Sequence, residues 1–197
     1  MNNNETNPRR NFLKKSVTGA VAIGVGATIG GAFLQPLSAE AEASISFDPN
    51  VPVAYNEKEF RMGVIGPAEL SLITSQIAEQ KATDSWTKEF AGFEKTEAIA
   101  VTGVLKDLGT PVPAMSPKAQ ATLAKIKATT GREFDKTYIQ AQLENHEFLR
   151  DLAESYLKNA AGKPGPAENQ TRHLATLALA VFKEHVALTR QILEKLG

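Results

Sequence analysis

The chain of 197 residues contains no cysteine. Disulfides, thiolate metal sites, lipid attachment through cysteine and cysteine nucleophiles are therefore excluded. Aromatic residues make up only 7 %, with a single tryptophan. Phe60, Trp86, Phe90 and Phe93 read as core positions on helices rather than as a stacking platform. Neither sign of charge is in excess: Lys and Arg number 22, as do Asp and Glu. Past residue 43 the net charge is about −1 and no basic patch stands out, which argues against a nucleic-acid partner. Sustained period-two alternation is absent, so almost no strand is expected. No glycine-rich phosphate loop follows a strand, and no motif gathers Ser, His and Asp, so no catalytic residue is assigned. Beyond the N-terminal segment there is no internal repeat or low-complexity tract.

What is present begins with that segment. Pro8-Arg9-Arg10-Asn11-Phe12-Leu13-Lys14 resembles a twin-arginine export signal. A moderately apolar run rich in Gly and Ala follows from Val17 to Leu34, and Ala39-Glu40-Ala41-Glu42-Ala43 offers Ala-x-Ala cleavage sites. Residues 1–43 are therefore expected to be a removed signal, with the twin-arginine translocation machinery as partner and a periplasmic or secreted product. A retained membrane anchor is the alternative, weakened by the glycines in a run barely long enough to span. That route carries folded proteins and often serves those that acquire a cofactor before export, which mildly favours a bound metal.

The remaining chain is long enough for one domain with a real core. Residues 44–57, with Pro49 and Pro52, read as an extended lead-in, and residues 58–197 as an all-α domain. Four long helices are expected over about 59–81, 84–108, 131–159 and 167–196, with a short extra helix over about 117–129. Gly63, Gly66 and Pro67 are expected to kink or delay the first helix. Thr83 or Asp84 should cap the second and Gly109 should end it. Ser116-Pro117 opens the short helix, and Lys163-Pro164-Gly165-Pro166 breaks the chain before the last.

Four ionisable residues lie in the apolar stripes of the long helices: Glu69, Glu97, His146 and His185. At about 100° per residue, Trp86, Phe90, Phe93, Ala100, Val101, Val104 and Leu108 fall within roughly 60° of Glu97. Leu174, Ala178, Val181, Phe182, Leu188, Ile192 and Leu196 flank His185 in the same way, and Ile65, Leu72 and Ile73 flank Glu69. His146 sits nearer the edge of its stripe, in a row with Asp135 and Gln142. All four lie within about one turn of their helix midpoints. A bundle can therefore bring them together in its core, where bundles build metal sites.

Around these residues the chain resembles an exported bacterial ferritin-like family of unknown function, whose members are described as periplasmic or membrane proteins. The matching stretches are Ala68-Glu69-Leu70-Ser71-Leu72, Phe90-Ala91, Phe134-Asp135-Lys136-Thr137-Tyr138 followed by His146, and Glu184-His185-Val186-Ala187-Leu188. The resemblance spans about residues 58–196 and implies a ferritin-like four-helix bundle, with no reaction attached. The family commonly carries Asp-His on the second helix; Glu97-Ala98 here keeps the acid and loses the imidazole.

A di-iron carboxylate centre needs Glu-x-x-His on each of two helices, and no Glu-x-x-His occurs. Two Glu and two His suit instead one divalent ion, whether Fe, Zn, Mn or Cu, consistent with a role in metal handling or oxidative stress. The alternative is a buried Glu/His network that fixes helix register in a non-catalytic envelope or stress-related interaction protein. Glu94, about 60° from Glu97, can join either arrangement; the alternative is a boundary residue that reaches solvent. Asp135, Tyr138 and Gln142 are candidates to support the ligands, with capping of the third long helix as the simpler role for Asp135 and core packing for Tyr138. His173 faces away from the site and reads as a surface residue.

Overall fold

Side-chain caps start three of the five helices among the described residues. A computed structural model describes residues 52–160 and 165–197. The expected signal, residues 1–43, and most of the lead-in lie outside the described residues. Five helices form: α1 (Glu57–Lys81), α2 (Ser85–Asp107), α3 (Pro117–Ala128), α4 (Gly131–Asn159) and α5 (Pro166–Leu196). No strand occurs among the described residues.

Asn56 caps α1, accepting from the Glu59 N–H at 3.0 Å, while its side-chain amide and the Tyr55 N–H each donate to the Glu59 carboxylate at 2.7 Å. Asp84 caps α2 through the Thr87 N–H at 2.8 Å. Ser116 caps α3, which has proline in its first turn. Gly109, at φ 75°, ends α2. Its N–H reaches the Lys106 carbonyl at 2.8 Å and the Thr110 N–H reaches Leu105 at 3.0 Å. These are the two bonds of a Schellman motif, which needs a left-handed residue. The Arg61 guanidinium donates to the Leu108 carbonyl, placing positive charge on the negative end of α2. The expected delay does not occur: α1 starts at Glu57 and continues through Gly63, Gly66 and Pro67 without a break.

α1 packs along α2 and α4, and α4 packs along α5; α2 and α5 touch only lightly. Charged side chains tie α1 to α2 at two levels, Lys95 to Glu79 and Lys106 to Glu69, each at 2.6 Å. Asp135 of α4 holds the α1–α2 turn. Its carboxylate accepts from the Thr83 N–H (3.0 Å), the Thr83 hydroxyl (2.5 Å) and the Asp84 N–H (3.0 Å). It therefore fixes where α2 begins, rather than capping α4.

The apolar core is two clusters. One gathers Phe60, Val64, Leu149, Leu152, Tyr156 and Phe182. The other gathers Phe90, Phe134, Tyr138, Ile139 and Ile192. Between them, all four long helices contribute buried polar residues: Ser71, Thr74 and Ser75 from α1, Glu94 from α2, Gln142 and His146 from α4, and His185 from α5. A polar belt thus crosses the core at one level, and a belt of this kind is tolerated only if its members satisfy one another.

Candidate metal centre

Glu94, His146 and His185 converge in this belt, one from each of three helices. Glu94 Oε2 lies 3.1 Å from His146 Nε2 and 2.9 Å from His185 Nδ1. The two ring nitrogens are 3.1 Å apart. The result is a nearly equilateral triangle of donor atoms on three buried side chains.

Each imidazole turns its other nitrogen to an acceptor. His146 Nδ1 lies 2.7 Å from the Gln142 carbonyl, and His185 Nε2 lies 3.2 Å from Glu97 Oε2. These acceptors favour N–H on the outer nitrogens and leave lone pairs on the inner ones, the arrangement that orients ligand histidines. The Gln142 side chain is itself fixed. Its Oε1 accepts from the Ser71 hydroxyl at 2.9 Å and its amide donates to Thr74 Oγ1 at 3.0 Å. Phe90 presents its edge to His185 at 4.9 Å between centroids, and Phe182 tilts against His146 at 5.9 Å. Apolar rings thus wall the imidazoles from water on two sides.

The electrostatics follow from burial and mutual contact. Burial favours neutral Glu94, but the charges and hydrogen bonds of His146 and His185 outweigh it and hold the carboxyl far below the usual range. Burial disfavours the imidazolium of His146, but the Glu94 carboxylate beside it prevails and pushes its pKa up. Glu97 is pushed up, by burial first and also by Glu94 and Glu184, against the pull of His185. Burial pushes the Tyr138 hydroxyl well up.

The expected site residues are partly redistributed. His146 and His185 meet as anticipated, and His146, placed at the stripe edge by the sequence, is fully enclosed. Glu94, expected only to join or support, is the carboxylate at the centre. Glu97 stands one step out, its side chain 39 % exposed, touching the triangle only through His185. Glu69 is not brought to the group; it pairs with Lys106. Tyr138 bonds Ser75 at 2.8 Å and packs edge-on against Phe90, while Asp135 serves the α1–α2 turn. His173 is exposed, as expected. Trp86 and Phe93, expected in the core, are 50 % and 56 % exposed.

The signal for Glu94 lay in small residues. The buried face of α2 is Thr87, Ala91, Glu94, Ala98, Thr102 and Leu105 with Phe90, a stripe that lets neighbouring backbones approach.

Residues 66–192 match the protein-family model described as Domain of unknown function (DUF4142). Searches of curated proteins and of solved structures find no match.

Proposed function

The chain belongs to the DUF4142 family, and from the triangle we propose that it is an exported metal-binding protein holding one divalent ion between Glu94, His146 and His185. The observation that carries this reading is the convergence of three donor atoms, each about 3 Å from the other two. Both outer imidazole nitrogens face acceptors, so three lone-pair donors point at one another. Such a convergence needs a cation at its centre, either a proton or a metal.

The dimensions suit an ion. Donors about 3 Å apart are what an ion with bonds of about 2.0–2.1 Å presents at angles near those of an octahedral face. Two imidazoles and one carboxylate on one face match the donor set of non-haem Fe(II) sites, and equally serve Zn, Mn or Cu. Glu97 supports this centre as the carboxylate behind a ligating histidine. Three protein donors leave the remainder of the coordination sphere to water or a small ligand, in keeping with a role in metal handling or oxidative stress. The two-carboxylate, two-histidine set expected from the sequence becomes three ligands and one supporting acid, with Glu69 outside. The all-helical architecture and the central polar belt support reading the fold as a ferritin-like four-helix bundle, with α3 as an extra element. The Arg9-Arg10 signal directs export to the periplasm or beyond.

Elemental analysis of protein purified from the exported fraction should find about one ion per chain. Glu94→Gln and His185→Ala should lose it, while Glu69→Gln retains it. Metal-free wild type that shows no thermal shift with Fe, Zn, Mn or Cu would refute the assignment.

A second reading is favoured by the raised pKa of His146. A proton shared between His146 and Glu94 can close the triangle as a structural network in a non-catalytic envelope or stress-related interaction protein. In that case no ion copurifies, and His146 titrates freely by NMR whether or not metal is added.

A further inference from the structure

Beside the triangle, on the side of Phe60 and Phe182, lies a cavity of about 160 Å³. One wall is polar, formed by Glu94, Glu97 and His146. The others are apolar and come from all four long helices: Val64 and Ala68 of α1, Ala98 and Val101 of α2, Leu149 of α4, and Leu174 and Phe182 of α5. Leu177, 71 % exposed, also lines it and therefore stands at its rim. The cavity lies where α2 and α5 touch only lightly.

Several features go beyond imperfect packing. An apolar cavity of about 150 Å³ in a protein core is enough to bind benzene, so this one has room for a single aromatic ring. Its polar groups are gathered on one wall, the arrangement of a ligand site with a fixed end-to-end orientation. The lining alanines create the space: larger side chains at 98 and 178 would fill it. A half-exposed acid, Glu97, lines this mostly apolar chamber.

The chemistry of the walls selects the ligand. Two carboxylates at the polar end repel an anion. One carbocyclic ring, Phe182, faces the cavity, so there is no aromatic cage for a quaternary ammonium. A hydroxyl can donate to Glu97 while the ring lies against leucine and alanine. We propose that this cavity binds a small neutral molecule with an apolar body about the size of one aromatic ring and a single hydrogen-bond-donating end. The proposal goes beyond the metal reading, because it needs Glu97 and the apolar walls and not the ion.

The test uses 4-fluorobenzyl alcohol as probe, followed by ¹⁹F NMR on chelator-treated and on zinc-loaded full-length protein, with 4-fluorobenzoate as the anionic comparison. The chelator-treated protein should give a saturable shift with a Kd of about 1 mM or tighter, and 4-fluorobenzoate should bind at least tenfold more weakly. Ala178→Leu should weaken the alcohol by at least about tenfold by filling the space. Val101→Phe serves as a second filling variant should Ala178→Leu not fold. Neither residue touches the triangle, so both variants keep any metal stoichiometry. The proposal is overturned if the shift fails to saturate, if 4-fluorobenzoate binds as well, or if a folded filling variant binds the alcohol undiminished. A chain that binds zinc but not the alcohol refutes this inference alone; one that binds the alcohol but no metal refutes the metal reading alone.

Discussion

Glu94 and Glu97 stand three residues apart on one helix, and burial decides which of them sits at the centre. Glu94 is enclosed and faces two imidazoles, so Glu94→Gln removes the charge that stabilises His146 and should cost about 1–3 kcal/mol in urea denaturation of the metal-free protein. Glu69→Gln disrupts a pair whose Lys106 side chain is 49 % exposed and should cost less than about 1 kcal/mol. Protonation runs in opposite senses at the two partners. The lowered pKa of Glu94 contributes stability above the ordinary carboxylate value of 4.5, lost only as pH falls through its lowered value. The raised pKa of His146 contributes stability fully present below 6.5 and lost as pH rises through its raised value. Metal-free protein should therefore resist urea better at pH 6 than at pH 9. Metal needs neutral imidazoles, so zinc affinity should change the other way, weakening as pH falls through the raised value of His146. Glu97 favours the protonated ring of His146 in the same sense as Glu94. Calorimetry of zinc binding in two buffers of different ionisation enthalpy should register proton release near pH 6; equal heats would contradict it. The sequence centred the stripe on Glu97 rather than Glu94 because the stripe was weighted by greasiness. Trp86, Phe93 and Val104 pulled its centre toward Glu97, yet these residues are 38–56 % exposed while alanines and threonines make most of the buried face. Long apolar side chains can cover a surface, and close helix contact instead selects small ones.

At the scale of the element, boundaries were legible because they are written in local chemistry. Asp84, Ser116 with Pro117, and Gly109 each act through their own backbone neighbourhood, and no distant contact is needed to read them. The role of Asp135 was not legible, because it reaches across 52 residues to Thr83. Asp135→Ala strips three donors of their acceptor at the entrance to α2. It should cost about 1–3 kcal/mol, and should weaken zinc binding although residue 135 does not touch the triangle, because α2 carries Glu94. An unchanged zinc affinity in the folded variant would separate the turn from the site. Gly109→Ala forces a left-handed φ on alanine and should cost about 1–2 kcal/mol by chemical denaturation, with zinc stoichiometry unaltered.

For the whole molecule, the four long helices converge on one level, and this was anticipated from midpoints alone. What midpoints do not specify is rotation about each helix axis, which is why α1 brings hydroxyls rather than Glu69 to the belt. An ion bound there joins α2, α4 and α5 and favours the folded state by mass action. At a hundredfold excess over Kd it adds about 2.7 kcal/mol, a rise of roughly 5–11 °C in Tm for a domain of this size. Scanning fluorimetry should show that rise in wild type and none in Glu94→Gln. No helix among the described residues is long and apolar enough to cross a membrane. The export reading makes its own prediction: Arg9→Lys with Arg10→Lys should block delivery of the full chain to the periplasm, scored by cell fractionation, whereas delivery at the wild-type level would remove the twin-arginine assignment.

The single tryptophan sits where two helices approach, with the Lys195 ammonium of α5 3.7 Å over the ring of Trp86 on α2. An ammonium that close to an indole alters its emission, and half the ring is open to added quenchers. The chain thus carries its own optical gauge of the α2–α5 separation, near one end of the helices whose middles hold Glu94 and His185. Drawing those two residues together, or wedging the helices apart with a ligand, would register as opposite changes in colour and quenching without any label being attached.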